Sequence, residues 1–117
     1  MNTVLAVVAG SVGALSRYVL TGAVQRRSQS ALPLGTAAVN VLGALGIGLA
    51  TGGLHSGSLP LVVVAGFLGG FTTFSTWMVE TVRLGALPVW RPAALANLLV
   101  PLVSGVGAAA FGYYLTR

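Results

Sequence analysis

A chain of 117 residues that is 56% hydrophobic and only 6% charged is too short for two ordinary domains and too apolar to cover a soluble one. Soluble domains carry about 25% charged residues, so this composition makes lipid the solvent and the chain an integral membrane protein. Its charge is six Arg against one Glu, with no Lys and no Cys, and the arginines stand singly or in pairs at the ends of apolar runs. That placement fits membrane-interface anchoring and not the basic stripe of a nucleic-acid binder. With one His and one acid there are almost no parts for hydrolytic or metal-thiolate chemistry, which argues against an enzyme.

The first apolar run, 3–24, lacks a basic lead-in and is followed by further spans, so it is expected to be a transmembrane helix and not a secretory signal. A polar link, Gln25 to Ser30, follows, and Pro33 stands where a second helix would start, giving a span over 34–51. Gly52, Gly53, His55, Ser56, Gly57 and Ser58 read as a turn. The third run, 59–84, is longer than a bilayer needs and carries Gly66-Phe67-Leu68-Gly69-Gly70-Phe71-Thr72-Thr73-Phe74-Ser75-Thr76. Glycine is a poor helix former, and Ser and Thr compete for backbone hydrogen bonds, so a break is expected at mid-membrane depth. Such irregular backbone is tolerated only when buried in protein or lining a wet cavity. The fourth run, 93–115, contains Pro101, which removes a backbone donor and is expected to kink the helix. The expected fold is therefore a single all-α domain over 1–117, with four transmembrane helices and the third one broken.

Small residues recur every four positions: Ala6-Gly10-Ala14, Ala44-Gly48-Gly52, Gly66-Gly70 and Ser104-Ala108-Gly112. Such rows let helices approach closely in lipid, and their presence on every span points to an oligomer.

Polar groups inside the spans are costly and are the functional candidates: Arg17, Asn40, the run Thr72 to Thr76, Glu80, Asn97 and Ser104. Asn40 offers amide donors, to an anion or to another helix. Arg17 must snorkel or line a vestibule. Glu80 is expected to pair with an arginine or cap a helix end. In Thr72-Thr73-Phe74-Ser75-Thr76-Trp77, hydroxyls and positive ring edges surround a helix break whose free N–H groups suit an anion. Donors with almost no acid point to an anion pathway.

Gly13-Ala14-Leu15-Ser16-Arg17-Tyr18, then Gly35-Thr36 with Asn40 and Gly43, and above all Gly66 to Thr76, resemble the signature blocks of the Fluc (CrcB) fluoride channel family in order and along the whole chain. The resemblance implies a four-helix subunit that forms an antiparallel, dual-topology dimer in the cell membrane. It also implies passive export of cytoplasmic fluoride, which relieves fluoride toxicity, through pores at the subunit interface. A structural sodium ion at the dimer centre is implied, held by the backbone carbonyls of Gly69 and Thr72. The implied fluoride pathway comprises Asn40, Phe74, Ser75, Thr76, Trp77 and Ser104, with Arg17 in the vestibule. The chain departs from the family at Trp77, where Phe is typical, at Leu98, near a common Tyr, and at Pro101, close to the polar track.

Two other classes compete. A small multidrug transporter has a similar overall plan, but proton-coupled cation export needs a buried acid in the first helix, and the first acid here is Glu80. A non-transporting subunit would need only the glycine rows. Neither accounts for the donor-rich break. With four spans, Arg26, Arg27, Arg83 and Arg91 fall on one side and Arg117 on the other. The positive-inside bias places the former in the cytoplasm and favours a partner subunit of opposite orientation, a related chain over a second copy.

Overall fold

The computed structural model describes residues 2–117. It comprises five α-helices: α1 (Asn2–Ser28), α2 (Leu34–Gly53), α3 (Leu59–Phe71), α4 (Ser75–Gly85) and α5 (Arg91–Thr116), with a 3₁₀ turn at Pro88–Trp90 leading into α5. Four segments are long and apolar enough to cross a membrane: Asn2–Ser28, Leu34–Gly53, Leu59–Gly85 and Pro88–Thr116.

The first boundary differs from expectation. Gln25 to Ser28 do not form a link but continue α1. The reason is the Gln25 side chain, whose Nε2 donates to the carbonyls of Ser30 (2.9 Å) and Leu32 (2.8 Å) while its Oε1 accepts from the Gly35 N–H at 3.1 Å. One amide satisfies two carbonyls of the α1–α2 turn and the Gly35 N–H at the start of α2, so the helix need not end to free polar backbone. At the next turn Gly57 takes φ +75°, and Ser58 caps α3 by accepting from the Leu61 N–H. α5 is one continuous helix through the buried Pro101.

Packing follows the small residues. α1 lies on α3 and α2 lies on α5, these being the two most extensive helix contacts. A Cβ on Gly70 would strike the Gly10 carbonyl, and one on Gly48 would strike the carbonyl of Ala109. Each pair of backbones is thus in direct contact, as expected where packing and not hydrophobic exclusion joins helices. The rows of α1 and α3 serve one layer, those of α2 and α5 the other.

The two halves of the third segment have different neighbours. α3 packs on α1 and α2, whereas α4 packs on α5 and α2; among the described residues α3 makes no packing contact with α5. The chain therefore crosses from one layer to the other between Phe71 and Ser75, leaving a space between α3 and α5 with α2 as its floor.

Candidate functional site

That space is an open cavity of about 450 Å³. Its floor comes from Asn40, Gly43 and Ala44 of α2, one wall from Leu68, Gly69 and Thr72, the other from Pro101 and Gly105 of α5, with Thr73, Phe74 and Trp77 at one end.

Asn40 organises the segment between α3 and α4. Its Nδ2 donates to the Thr73 carbonyl at 2.8 Å, and its Oδ1 accepts from the Thr73 N–H at 2.8 Å. This two-point clamp takes Thr73 out of the helical ladder. The Thr73 hydroxyl then accepts from the Thr76 N–H at 3.3 Å, covering one open donor of α4. In a continuous helix the Thr73 and Thr76 N–H groups would serve the carbonyls of Gly69 and Thr72. With both donors engaged elsewhere, those carbonyls lack their helical partners beside the cavity. Thr72 is held separately, its N–H and hydroxyl both donating to the Leu68 carbonyl at 3.0 Å.

The aromatic pair stands next to the clamp. The rings of Phe74 and Trp77 meet edge to face, with centroids 6.0 Å apart and planes at 89°. Phe74 is 71% exposed, so the protein does not use it as core. The Trp77 indole N–H does not point a free donor into the cavity. It donates to the Asn97 carbonyl of α5 at 2.6 Å. Asn97 also donates from Nδ2 to the Thr81 hydroxyl (2.9 Å), which donates to the Trp77 carbonyl (2.8 Å).

The remaining candidates are dispersed. Ser75 and Ser104 are exposed and lie outside this cavity. Thr76 lines a second open cavity of about 520 Å³, with Gln25, Thr36, Glu80, Arg83 and Trp90 at the Arg-rich end of the bundle. Arg17 is half-buried and lines neither cavity.

Glu80 is bound by Thr36, whose hydroxyl donates to its Oε1, in place of the expected arginine or helix end. Thr36 is 4% exposed, so its hydroxyl needs an acceptor, and the carboxylate supplies one. Among the described residues no cluster of three or more His, Cys, Asp or Glu exists to hold a metal.

Sequence reasoning gave Gln25, Thr36 and Asn97 no specific function. Gln25 sat in a stretch read as linker. For Asn97 a signal was present: it lies four residues before Pro101, where a helix loses a donor.

Comparison with known proteins gives one consistent answer. The sequence model of the family described as CrcB-like protein, Camphor Resistance (CrcB), matches residues 4–113. Fluoride-specific ion channel FluC 2 of Mycolicibacterium paratuberculosis is 49% identical over 102 residues, covering 87% of this chain and 82% of that one. Fluoride-specific ion channel FluC of Syntrophotalea carbinolica is 43% identical over 125 positions, covering 100% of this chain and 98% of its own. Fluoride-specific ion channel FluC 2 of Mycobacterium bovis is 38% identical over 108 residues, covering 92% and 85% respectively.

Proposed function

The chain belongs to the CrcB-like family, and from that membership together with its site we propose that it is a fluoride-specific ion channel exporting fluoride passively across the cell membrane. The observation that carries the reading is the Asn40 clamp on Thr73, which opens the third segment beside an exposed Phe74. Fluoride is small, strongly hydrated and a strong hydrogen-bond acceptor, so a pathway for it must offer donors in place of water and no competing negative charge. Asn40 retains a second amide hydrogen for this purpose, Ser75, Thr76 and Ser104 carry hydroxyls, and the rings of Phe74 and Trp77 present positive edges.

In this reading the third span is broken at mid-membrane depth and the subunit works as an antiparallel dimer with the pathway along its interface. The exposed position of Phe74, Ser75 and Ser104 suits residues that a second subunit would cover. Arg17 would serve the vestibule. The carbonyls of Gly69 and Thr72, deprived of helical donors, fit a monovalent cation such as sodium, which prefers hard oxygen ligands. Such an ion would satisfy acceptors that lipid cannot and so fix the dimer centre. The arginine bias favours a related subunit of opposite orientation as the partner.

Purified chain in liposomes decides the matter. Fluoride efflux read by a fluoride electrode is expected, without proton flux when a cationic drug gradient is applied. Drug-driven proton flux would favour the multidrug-transporter class, and the absence of any flux from a folded dimer would favour a packing subunit.

A further inference from the structure

Two residues that look unrelated in sequence, Trp77 and Pro101, meet at one atom. Pro101 lies inside α5 and has no N–H, so the carbonyl four residues earlier, Asn97, has no helical donor. The pyrrolidine ring also crowds that carbonyl and turns it away from the helix axis. The Trp77 indole N–H of α4 donates to that same oxygen at 2.6 Å.

We infer that Trp77 and Pro101 are a matched pair that positions Phe74: the carbonyl freed by Pro101 anchors the Trp77 indole, and the anchored ring holds Phe74 edge to face beside the Asn40 clamp. Three observations support this. In an apolar helix an orphaned acceptor is expensive, so the indole bond is strongly favoured over a free rotamer. The Asn97 side chain and Thr81 tie the Trp77 turn to α5 a second time, which fixes the backbone under the ring. Phe74, 71% exposed, has no enclosing core to hold it, and its aromatic partner is Trp77. Trp77 is therefore a positioning residue, and Phe at this place is not a conservative exchange while Pro101 is present. The functional part of the inference rests on the channel reading; the pairing itself does not.

The test is a double-mutant cycle on fluoride efflux from liposomes, using wild type, Trp77→Phe, Pro101→Ala and the double variant. With Pro101 in place, Trp77→Phe is expected to slow efflux about tenfold, the factor that one lost bond to a part-buried acceptor carries. In the Pro101→Ala background, residue 101 supplies its own N–H to Asn97, and the same exchange is expected to cost less than about threefold. Equal cost in both backgrounds overturns the inference. Hydrogen exchange of the Trp77 indole, followed by NMR in a Trp90→Phe background, reads the bond without flux and without the Trp77→Phe chain. Exchange faster in Pro101→Ala than with Pro101 is the expected result, and identical exchange overturns the pairing. A wild type that carries no fluoride while showing the exchange difference would remove the channel reading and the role assigned to Phe74, and leave the Trp77–Pro101 pair standing.

Discussion

At the level of single side chains, the site rests on Asn40. It gives one N–H and its carbonyl to Thr73, so a change of its amide acts on the backbone as well as on any passing ion. Asn40→Asp removes the donor to the part-buried Thr73 carbonyl and places a carboxylate oxygen against it, a loss of about 1–3 kcal/mol. Fluoride efflux from that variant is expected to fall below detection while its size-exclusion profile matches that of the wild type; wild-type flux would confine Asn40 to holding the helices. Phe74→Ile preserves apolar bulk and removes the positive ring edge. Because Phe74 is largely exposed, the fold should be indifferent, with a midpoint of thermal unfolding unchanged and flux reduced at least about tenfold, one hydrogen bond's worth of ion stabilisation. Normal flux in Phe74→Ile would assign the ring to packing. These residues were legible because a polar or aromatic group in a glycine-rich apolar run has few structural excuses. Their partners were not legible. That Asn40 takes hold of Thr73, that Glu80 meets Thr36 and not an arginine, and that the Trp77 N–H is already engaged are facts of tertiary distance, which no periodicity encodes.

At the level of helices, spacing of small residues foretold close packing but not which row meets which. Four rows allow several pairings, and the short turns at Gln29 to Pro33 and Leu54 to Ser58 leave more than one topology open. What selects α1 on α3 and α2 on α5 is backbone contact at Gly10 with Gly70 and at Gly48 with Ala109. Gly70→Val is therefore expected to destabilise strongly, since its side chain meets backbone that cannot yield, with overpacking of about 1–3 kcal/mol as the minimum. Gly107 offers the matched control, because a Cβ there meets nothing within 4 Å. Gly107→Ala should be neutral or stabilising by up to about 1 kcal/mol from helix propensity. Thermal unfolding of both variants in detergent checks the contrast, and equal midpoints would show that the α1–α3 contact is not a determinant of stability. The Gln25 extension of α1 was missed for the opposite reason: its polar sequence looks like a link, and only the fold shows one side chain closing the whole turn.

At the level of the whole molecule, charge placement and chain topology combine. Successive spans alternate direction, so the C-terminal end of α1, the start of α2, the end of α4 and the start of α5 share one face of the bundle. Arg26, Arg27, Arg83 and Arg91 lie at that face, whereas Arg117 lies at the other, against the rings of Tyr113 and Tyr114. Four arginines against one is a positive-inside signal, by which the first face is expected in the cytoplasm and the His55 turn outside. An antiparallel pair of identical chains needs both orientations in comparable amounts, and a biased chain supplies mainly one. Exposed arginines can snorkel, however, and a partner of opposite orientation can trap a minor population, which sets the competing outcome. Expression of this chain alone, with a single cysteine introduced as His55→Cys and labelled by an impermeant maleimide from each side, separates the two. Labelling mainly from outside is expected, with little fluoride flux in those cells until a subunit of reversed arginine bias is coexpressed; in detergent, where no bilayer fixes orientation, purified copies are free to pair antiparallel and conduct in liposomes. Near-equal labelling from both sides together with full flux would establish the homodimer, because the chain would then have inserted both ways in spite of its charge.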